Sequence, residues 1–195
     1  MKRYFTWLGT MVLGVSLGLM GGVASVFAGT ASSVFNFTAI FVGGTCDISA
    51  PAAIQFNGGS PLTSSEIEQK TAVTNEGFNI TLSNCAGWGL TPAIKVSGTT
   101  ISDFGEPLFR DAAGKNGTNG YGILLQTPGN ATFNLNLNLA ENGRVSAKSW
   151  STDDQLSTVD TALPMVASLR CGDCNYPDRH GGEFKATVTF DFVYE

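Results

Sequence analysis

The sequence predicts an exported all-β protein with one domain. Three observations support this prediction: an N-terminal segment typical of an export signal, short alternating apolar stretches separated by turn residues, and an even number of cysteines. The 195 residues carry a net charge of −5, only 14% of them are charged, and no basic cluster occurs. This composition argues against nucleic acid and anionic lipid as partners.

The N-terminus is typical of a cleaved signal peptide. Lys2 and Arg3 precede an apolar run that several glycines interrupt, and small residues follow it. The end of this patch predicts cleavage after Ala28, with cleavage after Ala24 as a second option. A membrane anchor is the alternative, which the interrupted run disfavours. We therefore expect a signal peptide at 1–28 and a single exported domain at 29–195.

Seven stretches have the composition and the period of β-strands. Gly, Asn, Pro and Ser separate them and no helices alternate with them, which indicates a sandwich or barrel. The clearest internal case is FNLNLNLA, in which apolar residues and asparagines alternate strictly. One further stretch, 64–73, has Ser65 and Glu68 at capping-box spacing and predicts a loop with a single helical turn. The predicted strands are 34–43, 78–85, 93–98, 121–127, 133–140, 164–170 and 182–195.

The four cysteines suggest two disulfides. Cys46 follows the first predicted strand and Cys85 ends the second, so a bond between them would join two strands. On the chain-entropy model such a loop of about 40 residues contributes roughly 4 kcal/mol, against about 2 kcal/mol for the loop of Cys171 and Cys174. Four cysteines allow three pairings, so this pairing is an inference.

The segment RCGDCNYPDRHGG, residues 170–182, has three interpretations. Cys171 and Cys174 resemble a redox pair, but such pairs act at the start of a helix in a βαβ unit, which the sequence lacks. With His180 they offer three zinc ligands, and the fourth is not evident. A small structural disulfide in a long loop is the usual outcome in an oxidising compartment, and we favour it.

The sequence contains no G-x-S-x-G, H-E-x-x-H or P-loop motif. We therefore predict no enzyme activity, no cofactor and no metal. Trp88, Tyr121 and Trp150 lie in or beside loop-like stretches, where an exposed ring could stack on a sugar. The alternative for each is a buried packing aromatic.

Four features occur together in an order that resembles the pilin subunits of chaperone–usher fimbriae. They are the cysteine after the first strand, the block GFNITLSNC, the alternating C-terminal strand, and two residue types at set distances from the C-terminus. In that family a glycine lies fourteenth from the C-terminus and an aromatic residue is penultimate; here these residues are Gly182 and Tyr194. The resemblance covers the whole mature chain.

The resemblance implies an incomplete immunoglobulin-like β-sandwich that lacks its last strand. A periplasmic fimbrial chaperone lends a strand to the resulting groove, and a neighbouring subunit replaces it at the outer-membrane usher. The chain would thus be exported through the periplasm into an extracellular fimbrium on a bacterial surface. The implied groove residues are Gly182, Phe184, Ala186, Val188, Phe190, Phe192, Tyr194 and Glu195, the last with its carboxylate held by basic residues of the chaperone.

One departure from the family concerns the donor extension ahead of the first strand. Cleavage after Ala28 leaves only residues 29–33, and cleavage after Ala24 leaves 25–33. A subunit that accepts a strand but donates none can only lie at the distal tip, so we expect a minor subunit of the tip type that contributes to cell adhesion. The alternative position is inside the shaft or tip fibre, as a minor subunit with an atypical donor. The alternatives are a single-domain tip adhesin that binds a host glycan and, less favoured, an exported thiol oxidoreductase.

Overall fold

The computed structural model describes residues 39, 43–112 and 117–194. Every assigned element belongs to the unit formed by residues 40–195. Short 3-10 turns occur at Phe56–Gly59, Ala72–Thr74 and Leu156–Val159. The strands are β1 Gly44–Ser49, β2 Asn75–Gly87, β3 Pro92–Gly98, β4 Thr100–Ile101, β5 Leu108–Phe109, β6 Gly122–Gln126, β7 Arg144–Ser146, β8 Thr161–Arg170 and β9 Val188–Tyr194, and the helices are α1 Ser64–Glu68 and α2 Leu139–Asn142.

The strands form two antiparallel sheets, which confirms the all-β prediction. One sheet has six strands in the order β1-β2-β8-β6-β5-β4, and the other has three in the order β7-β3-β9. Alternate residues of β8 are buried, as expected for a strand with one face on a core. Fully buried side chains from both sheets form one core, among them Ile80, Leu82, Ile94, Val145, Leu163 and Met165.

Four predicted strands are confirmed with small changes at their ends. The stretches 78–85, 93–98, 121–127 and 164–170 correspond to β2, β3, β6 and β8. The predicted strand 34–43 falls almost entirely outside the described residues, as does the predicted signal peptide. Within the described ranges, no helix has the length and hydropathy needed to span a membrane.

The predicted strand 133–140 is wrong. Leu135 and Leu137 are 63% and 69% exposed, whereas Asn136 between them is buried, with only 8% of its surface exposed. The Asn136 amide donates to Asn142 Oδ1 at 2.5 Å and to the Arg144 carbonyl at 2.8 Å. Asn138 caps α2 by accepting from the Ala140 N–H at 2.9 Å. Asparagine side chains compete with strand pairing by bonding to nearby groups, so here the apolar alternation does not mark a buried face.

The stretch 64–73 holds a single short helix, as predicted. Its capping box is formed by Thr63 and Glu66 instead of Ser65 and Glu68. The Thr63 N–H donates to Glu66 Oε2 at 2.7 Å, and the Glu66 N–H donates to Thr63 Oγ1 at 3.3 Å. Reciprocal bonds of this kind satisfy two N–H groups that the first helical turn leaves free.

The structure pairs Cys46 with Cys85 and Cys171 with Cys174. The first pair joins β1 to β2, two neighbouring strands of the larger sheet. Cys46 lies inside β1, and the predicted strand 34–43 that it is expected to follow is almost entirely outside the described residues.

Candidate functional site

One edge of β9 is unpaired within the described chain. Its other edge pairs with β3 along its whole length, with Tyr194 opposite Pro92 at one end and Val188 opposite Gly98 at the other. The Val96 N–H donates to the Gly143 carbonyl on the β7 side at 2.8 Å, so the pair Val96–Phe190 does not exchange backbone hydrogen bonds. Because bonding alternates along an antiparallel strand, the N–H and C=O groups of even-numbered β9 residues point to the open edge.

The chain before β9 continues this arrangement without being a regular strand. The Glu183 carbonyl accepts from Thr118 N–H at 3.0 Å, and the Lys185 carbonyl accepts from Asp111 N–H at 3.1 Å. The Thr187 N–H and hydroxyl donate to the two Asp111 carboxylate oxygens at 3.0 and 2.7 Å. The predicted strand 182–195 is therefore shorter, because β9 begins at Val188 and loop residues pair with the segment ahead of it.

Burial alternates along this segment from 183 to 192, with the even-numbered residues half-buried and the odd-numbered ones exposed. Four of the half-buried side chains, Phe184, Ala186, Val188 and Phe190, line a cavity of about 390 Å³. The Phe190 ring also makes an edge contact with the Phe78 ring, with 6.3 Å between centroids. The cavity is thus an apolar gap beside an unpaired strand edge, and we call it the groove.

A second wall and the floor of the groove come from elsewhere in the chain. The second wall comes from the segment after β1, and the floor consists of Phe78 from β2, Ile123 and Leu125 from β6, and Ala167 from β8. The residues of the second wall are Pro51, Ala52, Ala53, Ile54 and Phe56. The strands β2, β8 and β6 are consecutive in the larger sheet, so the floor is a continuous apolar surface. Sequence reasoning missed these residues, because only the strand order brings them to one place.

The remaining predicted groove residues lie outside the cavity lining. Phe192 is half-buried against the core, and its ring lies 6.3 Å from the ring of Tyr194, which is 40% exposed. Gly182 is exposed, ahead of the paired segment. Glu195 lies outside the described residues.

The Cys171–Cys174 pair lies in a turn and not at the start of a helix. Cys171 is 3% exposed, which leaves that sulfur poorly accessible to a second thiol. Among the residues that the structure describes, no group of three or more His, Cys, Asp or Glu side chains could hold a metal ion. His180 instead forms an isolated backbone bridge with Asn119.

The three aromatics considered for sugar stacking differ in accessibility. Tyr121 is 4% exposed, with its hydroxyl donating to Ser64 Oγ at 2.9 Å and the Arg179 guanidinium 5.5 Å from its ring centroid, so no ring face is open to a sugar. Trp150 is half-buried and donates from Nε1 to the Leu90 carbonyl at 2.7 Å. Trp88, at 62% exposed, presents its ring to solvent.

The fold and the groove define an all-β protein of two antiparallel sheets in which none of the described residues covers one strand edge and the adjoining apolar gap. A family model described as "Fimbrial protein" matches residues 34–195, and the chain belongs to this fimbrial protein family.

Two solved structures are similar to this chain. The P pilus rod subunit PapA is 18% identical with a TM-score of 0.43, and the match covers 84% of this chain and 100% of that one. A chain from a chaperone–usher pilus is 20% identical with a TM-score of 0.49, covering 86% of this chain and 97% of that one. No curated protein matches the sequence.

Proposed function

We propose that this protein is a minor fimbrial subunit assembled by donor-strand complementation and exchange. The observation that carries the proposal is that the β9 edge left unpaired by the described residues coincides with an apolar groove along the same strand. Membership in the fimbrial protein family supports it. In this role the chain acts by binding other chains and not by catalysis.

The groove has two deficits, an unpaired backbone edge and an unfilled apolar gap, and a single extended strand would satisfy both at once. Its backbone would pair with the even-numbered N–H and C=O groups of β9, and its alternate side chains would fill the space over Ala186 and Val188. The proposed binding residues are Gly182, Phe184, Ala186, Val188, Phe190, Phe192, Tyr194 and Glu195. The strand would come first from a periplasmic fimbrial chaperone, whose basic residues hold the Glu195 carboxylate, and then from a neighbouring subunit at the outer-membrane usher.

The free energy that a bound strand would contribute is comparable with the free energy of unfolding of a whole domain. Burying an apolar side chain contributes about 1.5–3 kcal/mol, so three inserted side chains contribute roughly 4.5–9 kcal/mol before entropic costs. A domain of this kind has a stability of about 5–15 kcal/mol in total. Without an occupant, the groove would expose apolar surface beside a free strand edge, which favours aggregation.

The same proposal covers export and position in the fibre. A signal peptide at 1–28, or 1–24, would direct the chain through the periplasm, and 29–195 would form one domain of an extracellular fimbrium that contributes to cell adhesion. The short extension before the first predicted strand makes this chain a weak donor. We therefore place it as a minor subunit at or near the distal tip.

Periplasmic expression with and without a fimbrial chaperone tests the proposal. We expect soluble chain only with the chaperone, recovered as a one-to-one complex. Val188→Glu, which places a charge in the groove, should abolish the complex. Its matched control is Thr189→Glu on the exposed opposite face, which should retain it. A stable, monomeric wild-type chain without any chaperone would contradict the proposal.

The exposed Trp88 favours a second candidate, a single-domain tip adhesin for a host glycan. Trp88 and Gln155 are paired in an isolated antiparallel bridge, so a residue with a side-chain amide is the cross-strand neighbour of Trp88. A glycan array with the chaperone-bound protein tests this candidate. Binding that Trp88→Ala removes would support it, and the absence of any binding would count against it.

A further inference from the structure

Arg110 is a buried cation close to the end of the groove. It is 8% exposed, and its guanidinium donates to the Thr118 carbonyl, to Thr118 Oγ1 at 3.1 Å and to the Tyr121 carbonyl at 2.6 Å. No carboxylate in the described part of the chain forms an ion pair with it. Burial lowers the pKa of Arg110, so a charge is retained here at a cost.

Two aromatic rings contact this guanidinium. Its carbon lies 5.7 Å from the centroid of Phe104 and 6.0 Å from that of Phe184. Both distances are within the range of a cation–π contact. Phe184 lines the groove and also a second cavity of about 590 Å³, to which Arg110 contributes. Arg110 therefore supports the first groove residue directly.

The Cys171–Cys174 turn lies behind Phe104. The Asp173 N–H donates to the Phe104 carbonyl, and the Tyr176 ring meets the Phe104 ring edge-on at 4.7 Å between centroids. Gly172 has φ 57°, and a Cβ at this position would clash with the Phe104 carbonyl oxygen, so only glycine fits there. The disulfide closes this turn and so fixes the backbone that holds Phe104.

We propose that Arg110 is a positioning residue for strand binding, which holds Phe184 at its end of the groove while the Cys171–Cys174 turn supports it through Phe104. This inference rests on the proposed function, because it assigns a role in accepting the partner strand. It also gives the second disulfide a local role at one end of the groove.

Three backbone amides report on the position of Phe184. They belong to Thr118, Asp111 and Thr187, whose bonds hold the chain on either side of it. In Arg110→Met, released from its chaperone onto a groove-binding peptide, we expect these amides to exchange about tenfold faster, with β8 unchanged, because local opening is measured by amide exchange. The probe for the groove is a ten-residue peptide of alternating valine and threonine with a lysine at each end. Its dissociation should quicken, with protection lost first at Phe184 and Ala186.

The matched control is Arg170→Met. Arg170 is a half-buried arginine that donates to Asn75 Oδ1 at 2.8 Å and to Thr74 Oγ1 at 3.3 Å and does not line the groove. Arg170→Met should leave the exchange rates of the three amides and the dissociation rate of the peptide unchanged. Cys171→Ala with Cys174→Ala provides a second test if Arg110→Met does not fold, and it should accelerate the same amides.

The outcomes separate the two proposals. Faster exchange confined to the three amides, with faster peptide dissociation, supports the positioning role. A uniform change across the sheets, or no change, overturns it while the groove stands if wild-type protein binds the peptide. A wild-type protein in which the peptide protects no amide along 184–192 overturns the proposed function, and the inference with it.

Discussion

The two disulfides should differ strongly in their contribution to global stability. We consider Cys46→Ser with Cys85→Ser against Cys171→Ser with Cys174→Ser. The first bond spans a sequence separation of 39 and the second a separation of 3. On the chain-entropy model their removal costs about 4 and about 2 kcal/mol. The difference of about 2 kcal/mol corresponds to a factor of roughly 30 in the ratio of folded to unfolded protein.

Equilibrium urea unfolding of the protein complemented with the groove peptide at one fixed concentration, followed by tryptophan fluorescence and circular dichroism, measures both losses. The comparison requires that the free energy of unfolding falls with urea concentration at the same slope in both variants, since a changed slope would indicate a changed denatured state. Cys85 is 4% exposed, so serine there also buries a hydroxyl. The corresponding alanine pair separates this cost from the loop term and should keep the same order of stability.

Equal losses, or a larger loss for the Cys171–Cys174 pair, would refute the loop-closure reasoning. Such a result would mean that the turn behind Phe104 contributes to global stability and not only to the end of the groove. We expect a small global loss for that pair together with a clear local effect on the amides around Phe184.

Three further predictions concern single residues outside the groove. Asn136→Ala should destabilise the protein by about 1–2 kcal/mol in urea unfolding, because it removes the hydrogen bonds of a buried amide to Asn142 and Arg144. By contrast, Leu137→Ala at a 69% exposed position should change the free energy of unfolding by less than about 0.5 kcal/mol. The pKa of Glu66 is lowered, first by the Thr63 backbone N–H and then by its hydroxyl, so the cap is fully formed above the ordinary carboxyl pKa and is lost as pH falls through the lowered value. An NMR titration of the Thr63 amide should show this step, and Glu66→Gln should abolish it.

The sequence predicts strands well where burial of one face is the only requirement. In β8, Leu163, Met165 and Leu169 pack on the core and follow the expected period of two. The segment 133–140 has a stronger alternation and is not a strand, because the Asn136 and Asn138 amides find local partners. Hydrophobic period alone does not register such side-chain bonds.

The groove shows the same limit at a larger scale. The wall formed by the C-terminal run follows from its alternation, and Phe184, Ala186, Val188 and Phe190 line the cavity. The second wall, in the segment after β1, has no strand pattern, and the floor comes from strands that are distant in sequence. No motif or periodic pattern in the sequence marks Arg110, because its proposed role depends on the rings of Phe104 and Phe184, which only the fold brings close to it.

The two deficits of the groove coincide because a strand has a period of two. The even-numbered residues of the C-terminal run turn their side chains into the gap, and the same residues turn their backbone groups to the open edge. A small apolar molecule could fill the space but would leave the edge unpaired, and a strand without apolar side chains would do the reverse. Only an extended chain with alternating apolar residues corrects both. The geometry of β9 therefore supports the proposal that a protein strand occupies the groove, and under that proposal the shape around Ala186 and Phe184 decides which strand fits best.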